Sequence, residues 1–160
     1  MGIVTTTQVT DATPAAFAAH TSSRANQADI AAQLASAGLR VLLGGGEDQF
    51  LPVTETGPWP GVGKRLDGRN LVTEARAAGA VVVQDAASLL AAPVSSSVLL
   101  LGLFADEGLS GASAPSLRDL TRKAIGWLSA EGKGFFLVVE GGQIDWEAHA
   151  NNASGVIDNV

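Results

Sequence analysis

Five short apolar runs stand out along the chain, and each reads as a strand: Gly2–Thr6, Arg40–Leu43, Ala80–Val83, Ser97–Phe104 and Gly134–Glu140. They are rich in Val, Ile, Leu and Phe, with little polar alternation. A strand covered on both faces carries that signature, because neither face is left for water, so the runs predict a parallel sheet. Between them lie segments with helical spacing: Pro14–Thr21, Asn26–Ala37, Gly68–Ala78, Ala86–Ala91 and Pro115–Ala130. The alternation of the two patterns predicts an α/β fold, a mostly parallel sheet with helices on both faces.

The last of these helices is the clearest. Ser116 stands where an N-cap belongs, with Pro115 before it and Asp119 three residues on, a weak capping box. Leu117, Leu120, Ala124, Trp127 and Leu128 then recur on one face, which makes Trp127 a core anchor. "TETGPWPGVG", Thr54–Gly63, reads as a surface loop from its Pro and Gly content. No repeat and no internal boundary interrupts the pattern.

Composition narrows the class. A chain of 160 residues is the length of one ordinary domain. Its 46% apolar and 16% charged content suits a packed core and not a disordered chain. A net charge of −6 argues against nucleic acid as a partner, where a basic patch should dominate. With no cysteine, disulfides and thiolate metal sites are excluded, though the compartment is not fixed. No apolar run is long enough for a membrane span. The opening "MGIVTTTQVTDATP" lacks the basic flank and apolar core of a signal peptide, and begins on a strand as if within a domain.

Two glycine clusters carry no phosphate-binding pattern and are expected to be ordinary turns. "LLGGGEDQF" supplies no later glycine, and "GPWPGVGKR" has Arg65 where a phosphate loop needs Ser or Thr, with a spacing one residue too long. His20, in "AAFAAHTSSR", is expected to be structural, on an apolar helix. The stretch "VVEGGQIDWEAHANN" is more informative. If a helix begins near Ile144, Asp145 and His149 fall one turn apart on one face. Carboxylate and imidazole together suit zinc, and a solvated helix face is the plain alternative. Glu140 closes an otherwise apolar strand, at the sheet edge where open α/β folds bind ligands, and a carboxylate there needs a partner. In the first stretch, Asp11 and Thr13 lie where a strand ends and a helix starts, with Pro14 suited to the first helical position. A capped helix is the alternative reading there.

At these residues the sequence resembles the alkaline phosphatase family. "VTTTQVTDATPAAFAAHTSSR", "VLLGGGEDQFLP", "DGRNL", "LLLGLFA", "PSLRDLTRKAI" and "GFFLVVEGGQIDWEAHANN" follow the family's order, from about Gly2 to Ser154. The resemblance covers roughly the central third of a complete family member. It implies an alkaline-phosphatase-like fold, of which 1–160 is a single partial domain. It also implies phosphate monoester hydrolysis at a site of two zincs and one magnesium. By resemblance, Asp145 and His149 are ligands of one zinc, and Glu140 and Thr13 are ligands of the magnesium. Arg24 grips the substrate phosphate, for which a guanidinium fork is suited. Asp11 orients water at the magnesium, or the arginine. Trp146 stands where family members vary among Lys, His and Trp, and removes a positive charge from the site. A homodimer, in the periplasm or outside the cell, is implied as well.

The same resemblance implies what is missing. The family's nucleophilic serine and an Asp bridging two of the metals precede this region, and the remaining zinc ligands follow it. Two histidines, His20 and His149, are too few for a two-zinc site of this type. About half a site is therefore expected, a partial gene product inactive alone, with Met1 as a possible internal start. Two other readings remain open: a non-catalytic small α/β domain binding a single metal or phosphate, and another phosphoryl- or sulfuryl-transfer enzyme of the same metal-dependent superfamily.

Overall fold

The computed structural model describes residues 1–95, 98–109 and 114–160. Five strands, β1 (Gly2–Gln8), β2 (Val41–Gly45), β3 (Val81–Val83), β4 (Leu100–Leu103) and β5 (Leu137–Glu140), form one sheet in the order β3-β4-β2-β1-β5. Every pairing is parallel. Among the described residues, seven helices connect and cover it: α1 (Ala12–Ala18), α2 (Gln27–Ser36), α3 (Leu71–Ala77), α4 (Ala86–Ala91), α5 (Leu117–Ser129), α6 (Gln143–His149) and α7 (Ala153–Asp158), with a 3-10 turn at Glu47–Phe50.

Strand alternation sends neighbouring apolar residues into two separate cores. Ile3, Leu42 and Leu101 pack with Ile30, Leu34, Phe50 and Leu71 on one face. Val4, Val41, Leu43 and Leu100 pack with Leu89, Leu120, Ala124 and Trp127 on the other. Both faces of the central strands are dry, which is why those strands read as unbroken apolar runs. Trp127 is buried, and its indole N–H donates to the Val98 carbonyl at 3.0 Å. No helix among the described residues is long and apolar enough to cross a membrane.

Several expectations shift. Pro14 is the third residue of α1, not the first; an N–H is unused throughout the first helical turn, so the ring fits there equally well. His20 lies beyond α1 and is exposed, so it is not a helix-borne structural histidine. Its backbone, not its imidazole, is held, by the Gln33 amide. Ser116 caps α5 by accepting from the Asp119 N–H at 3.1 Å, but the box is not reciprocal: the Asp119 carboxylate accepts from the Ser116 hydroxyl instead. Gly134–Phe136 do not join the sheet, because the register sets Leu137 opposite Gly2. Phe135 and Phe136 stay exposed. Ser97, expected in β4, lies outside the described residues.

The "GGGED" turn after β2 holds no phosphate loop, but it is far more buried than a surface turn. A Cβ on Gly45 would fall 1.7 Å from the Glu107 carbonyl oxygen, so only glycine lets the two backbones meet. Glu47 and Asp48 follow, both buried. Asp48 is paired with Lys64 at 2.6 Å, and Glu47 accepts from the Gln84 amide. Burial pushes the Glu47 carboxyl up to about 7, against the opposing Gln84 hydrogen bond.

Candidate functional site

Of the residues singled out in the sequence, Asp11, Thr13, Arg24, Glu140, Asp145 and Trp146 converge at the carboxyl ends of β1 and β5, and His149 does not. Parallel pairing sets Thr5 of β1 opposite Glu140 of β5, and both chains then turn into helices on leaving the sheet. A cavity of about 390 Å³ opens there, lined by Thr7, Asp11, Ala12, Thr13, Arg24, Glu140, Gly142, Asp145 and Trp146. Glu140 and the Asp11–Thr13 turn thus share one sheet edge, although they come from opposite ends of the chain.

Asp11 occupies the N-cap position of α1 but makes no side-chain cap. Its carboxylate faces the cavity instead. Oδ1 lies 3.7 Å from the Arg24 guanidinium, and Oδ2 is buried with no hydrogen-bond partner. Burial raises its pKa; a Gln8 backbone hydrogen bond, the Arg24 charge and the Thr7 hydroxyl oppose the rise, and the Glu140 charge adds to it. An unpaired buried carboxylate oxygen is costly in isolation, and it suits a site that receives a cation or ordered water. The capped-helix reading of Asp11 therefore does not hold.

On the other wall, α6 begins at Gln143, one residue before the expected start. Asp145 and His149 lie one turn apart, with Oδ1 3.4 Å from Nε2. Both are largely exposed, and His149 stands outside the cavity lining while Asp145 belongs to it. The Trp146 ring closes over Gly108: a Cβ at that glycine would meet its Cζ3 at 2.6 Å. Among the described residues, no three carboxylate or imidazole groups stand close enough together to hold a metal ion by themselves. Among the described residues no serine lines the cavity; the hydroxyls there are those of Thr7 and Thr13.

Sequence reasoning missed Thr5 and Thr7. Both are buried, their hydroxyl oxygens lie 2.8 Å apart, and Thr5 donates to Glu140 Oε2 at 2.7 Å. The signal was present in "VTTTQ": hydroxyls two residues apart on one face of an otherwise apolar strand need partners.

A family model for alkaline phosphatase matches residues 1–160, and the chain belongs to the alkaline phosphatase family. It is 39% identical over 170 residues to alkaline phosphatase 4 of Bacillus subtilis, covering 99% of this chain and 33% of that protein. Identity to the repressible alkaline phosphatase of Saccharomyces cerevisiae is 36% over 181 residues, covering 99% of this chain and 32% of the relative. The crystal structure of Thermus thermophilus alkaline phosphatase superposes with a TM-score of 0.84 at 34% identity, over 99% of this chain and 32% of that one. A variant of the alkaline phosphatase from the bacterium TAB5, solved with magnesium in its M3 site, superposes at 0.72 with 30% identity, over 99% and 43% of the two chains. The chain thus spans about a third to two fifths of the length of the curated relatives it matches.

Proposed function

We propose that this chain is part of a phosphomonoesterase, hydrolysing phosphate monoesters at a site of two zincs and one magnesium, and that it supplies about half of that site as a single partial domain. One observation carries the reading. A single cavity gathers Asp11, Thr13, Arg24, Glu140 and Asp145 at the carboxyl edge of a parallel sheet, where open α/β folds bind ligands. The donor types suit the metals: Glu140 and Thr13 offer oxygen alone, as magnesium prefers, while Asp145 and His149 offer a carboxylate and an imidazole, as zinc accepts. The orphaned Asp11 oxygen supports a cation nearby.

Each residue then has a task that its surroundings favour. Arg24 is exposed enough to close on two oxygens of a phosphate, and Asp11 behind it sets the direction of approach. Glu140 and Thr13 hold the magnesium side, and Asp145 and His149 hold one zinc. Trp146 forms a wall without charge, so the phosphate's negative charge is met by Arg24 from the protein side. When bound, the metals supply charge neutralisation and polarisation of the phosphoryl group. The nucleophilic serine and the remaining ligands belong to the rest of the same enzyme, a homodimer in the periplasm or outside the cell.

The test is turnover of a generic aryl phosphate by the 160-residue chain with added zinc and magnesium. No multiple-turnover hydrolysis is expected, because no hydroxyl in the cavity is paired with a full metal site. Metal-dependent turnover abolished by His149→Ala would overturn the half-site reading in favour of a minimal enzyme.

A further inference from the structure

Thr5 is fully buried in β1, directly across the ladder from Glu140. Its hydroxyl has one proton and stands 2.7 Å from Glu140 Oε2. A carboxylate can only accept, so that proton is committed to Glu140. The Thr5 oxygen is itself gripped from behind: the Thr7 backbone N–H donates to it at 3.1 Å, and the Thr7 hydroxyl lies 2.8 Å away. With the Thr5 proton engaged, the Thr7 hydroxyl must be the donor in that contact, and its single proton is directed at the Thr5 oxygen. The direction of the chain is therefore fixed, from Thr7 to Thr5 to Glu140.

The packing leaves this chain little freedom. A Cβ on Gly142 would fall 2.6 Å from the Thr7 methyl and 3.3 Å from the Glu140 carboxyl carbon, so the turn after β5 is pressed onto both groups. One Glu140 oxygen is thus occupied by the protein. The other takes no hydrogen bond from the described residues.

We propose that Thr5 is a positioning residue for Glu140: its buried hydroxyl, held by Thr7, engages one carboxylate oxygen and leaves the other to a divalent cation. The proposal rests on the reading of Glu140 as a magnesium ligand. Partners behind a ligating carboxylate fix its orientation, and their loss costs roughly 10–100-fold in metal affinity. A hydroxyl on a rigid strand, tied to its neighbour by two contacts, has the fixed geometry such a partner needs.

The experiment is a Mn²⁺ titration of the 160-residue chain by electron paramagnetic resonance, with Mn²⁺ as the spin-active probe, on the wild type, Thr5→Val, Thr5→Ser and Glu140→Ala. Circular dichroism establishes that each variant is folded, and Thr5→Ala stands in should Thr5→Val not fold. Thr5→Val keeps the shape and removes the donor, so Mn²⁺ binding should weaken at least tenfold. Thr5→Ser keeps the donor and should stay within about threefold of wild type. Wild-type affinity in Thr5→Val, or equal loss in the Val and Ser variants, would overturn the positioning role while leaving Glu140 as a ligand. Wild-type binding that is absent, or indifferent to Glu140→Ala, would remove the metal reading and this role with it.

Discussion

The Arg24 guanidinium lies 3.7 Å from the Asp11 carboxylate, and the two partners differ in burial, with side chains 70% and 16% exposed. The acid is fixed in the wall and the base is free at the mouth. An exposed pair of this kind contributes about 0–1 kcal/mol, too little to lock Arg24 in place. Arg24→Ala should therefore change stability by less than about 1 kcal/mol. A bidentate contact to a phosphate is worth about 1.5–3 kcal/mol, so the same substitution should weaken inorganic phosphate binding roughly 10–150-fold. Calorimetric titration with phosphate checks this, and unchanged binding would count against the role.

Glu47 makes stability depend on pH. Burial raises its carboxyl from the ordinary 4.5 to about 7 in the folded chain. The folded state then holds more protons than the unfolded one between those values, so stability falls as pH rises from about 4.5 to about 7 and levels off above. The size is on the order of 3 kcal/mol. Asp11 and Asp48, both raised by burial, add to the same slope at lower pH. Glu47→Gln should remove its share: at pH 8 it should unfold at a higher temperature than wild type, with a flatter profile across the window. A lower melting temperature at pH 8 would contradict the assignment.

The open side of β5 predicts self-association. β5 is a terminal strand of the sheet, and Phe136, Val139 and Ile125 are exposed near it. An apolar, unpaired strand edge invites edge-to-edge pairing. Light scattering should rise with concentration for the wild type, and Val139→Lys should suppress the rise with an unchanged circular dichroism spectrum. Identical scattering from both chains would place the association elsewhere.

Much of this architecture was legible because its cause is local. Val41–Leu43 is buried on both faces and reads as an unbroken apolar run; α5 buries Leu120, Ala124, Trp127 and Leu128 and shows them at helical spacing. The Asp145–His149 pair follows from one helical turn. What was not legible depends on register or burial. Nothing in "VTTTQ" says which strand will stand beside it, so the Thr5–Glu140 contact waits on the pairing of β1 with β5. The depth of Glu47 reflects the distant Gly57, where a Cβ would fall 2.1 Å from Glu47 Oε2, and no local pattern announces that approach. The short helix α7 has no apolar stripe, and its only local mark is the Asn152 cap on the Gly155 N–H.

The central claim is that two kinds of metal site adjoin at this sheet edge, one built on Glu140 and Thr13 within the cavity and the other on Asp145 in its wall with His149 one helical turn beyond. The most direct measurement is elemental analysis of zinc and magnesium after equilibrium dialysis, on the wild type, His149→Ala and Glu140→Ala. The account predicts weak binding of both metals by the wild type, selective loss of zinc in His149→Ala and selective loss of magnesium in Glu140→Ala. Equal and unchanged metal content in the two variants would contradict it.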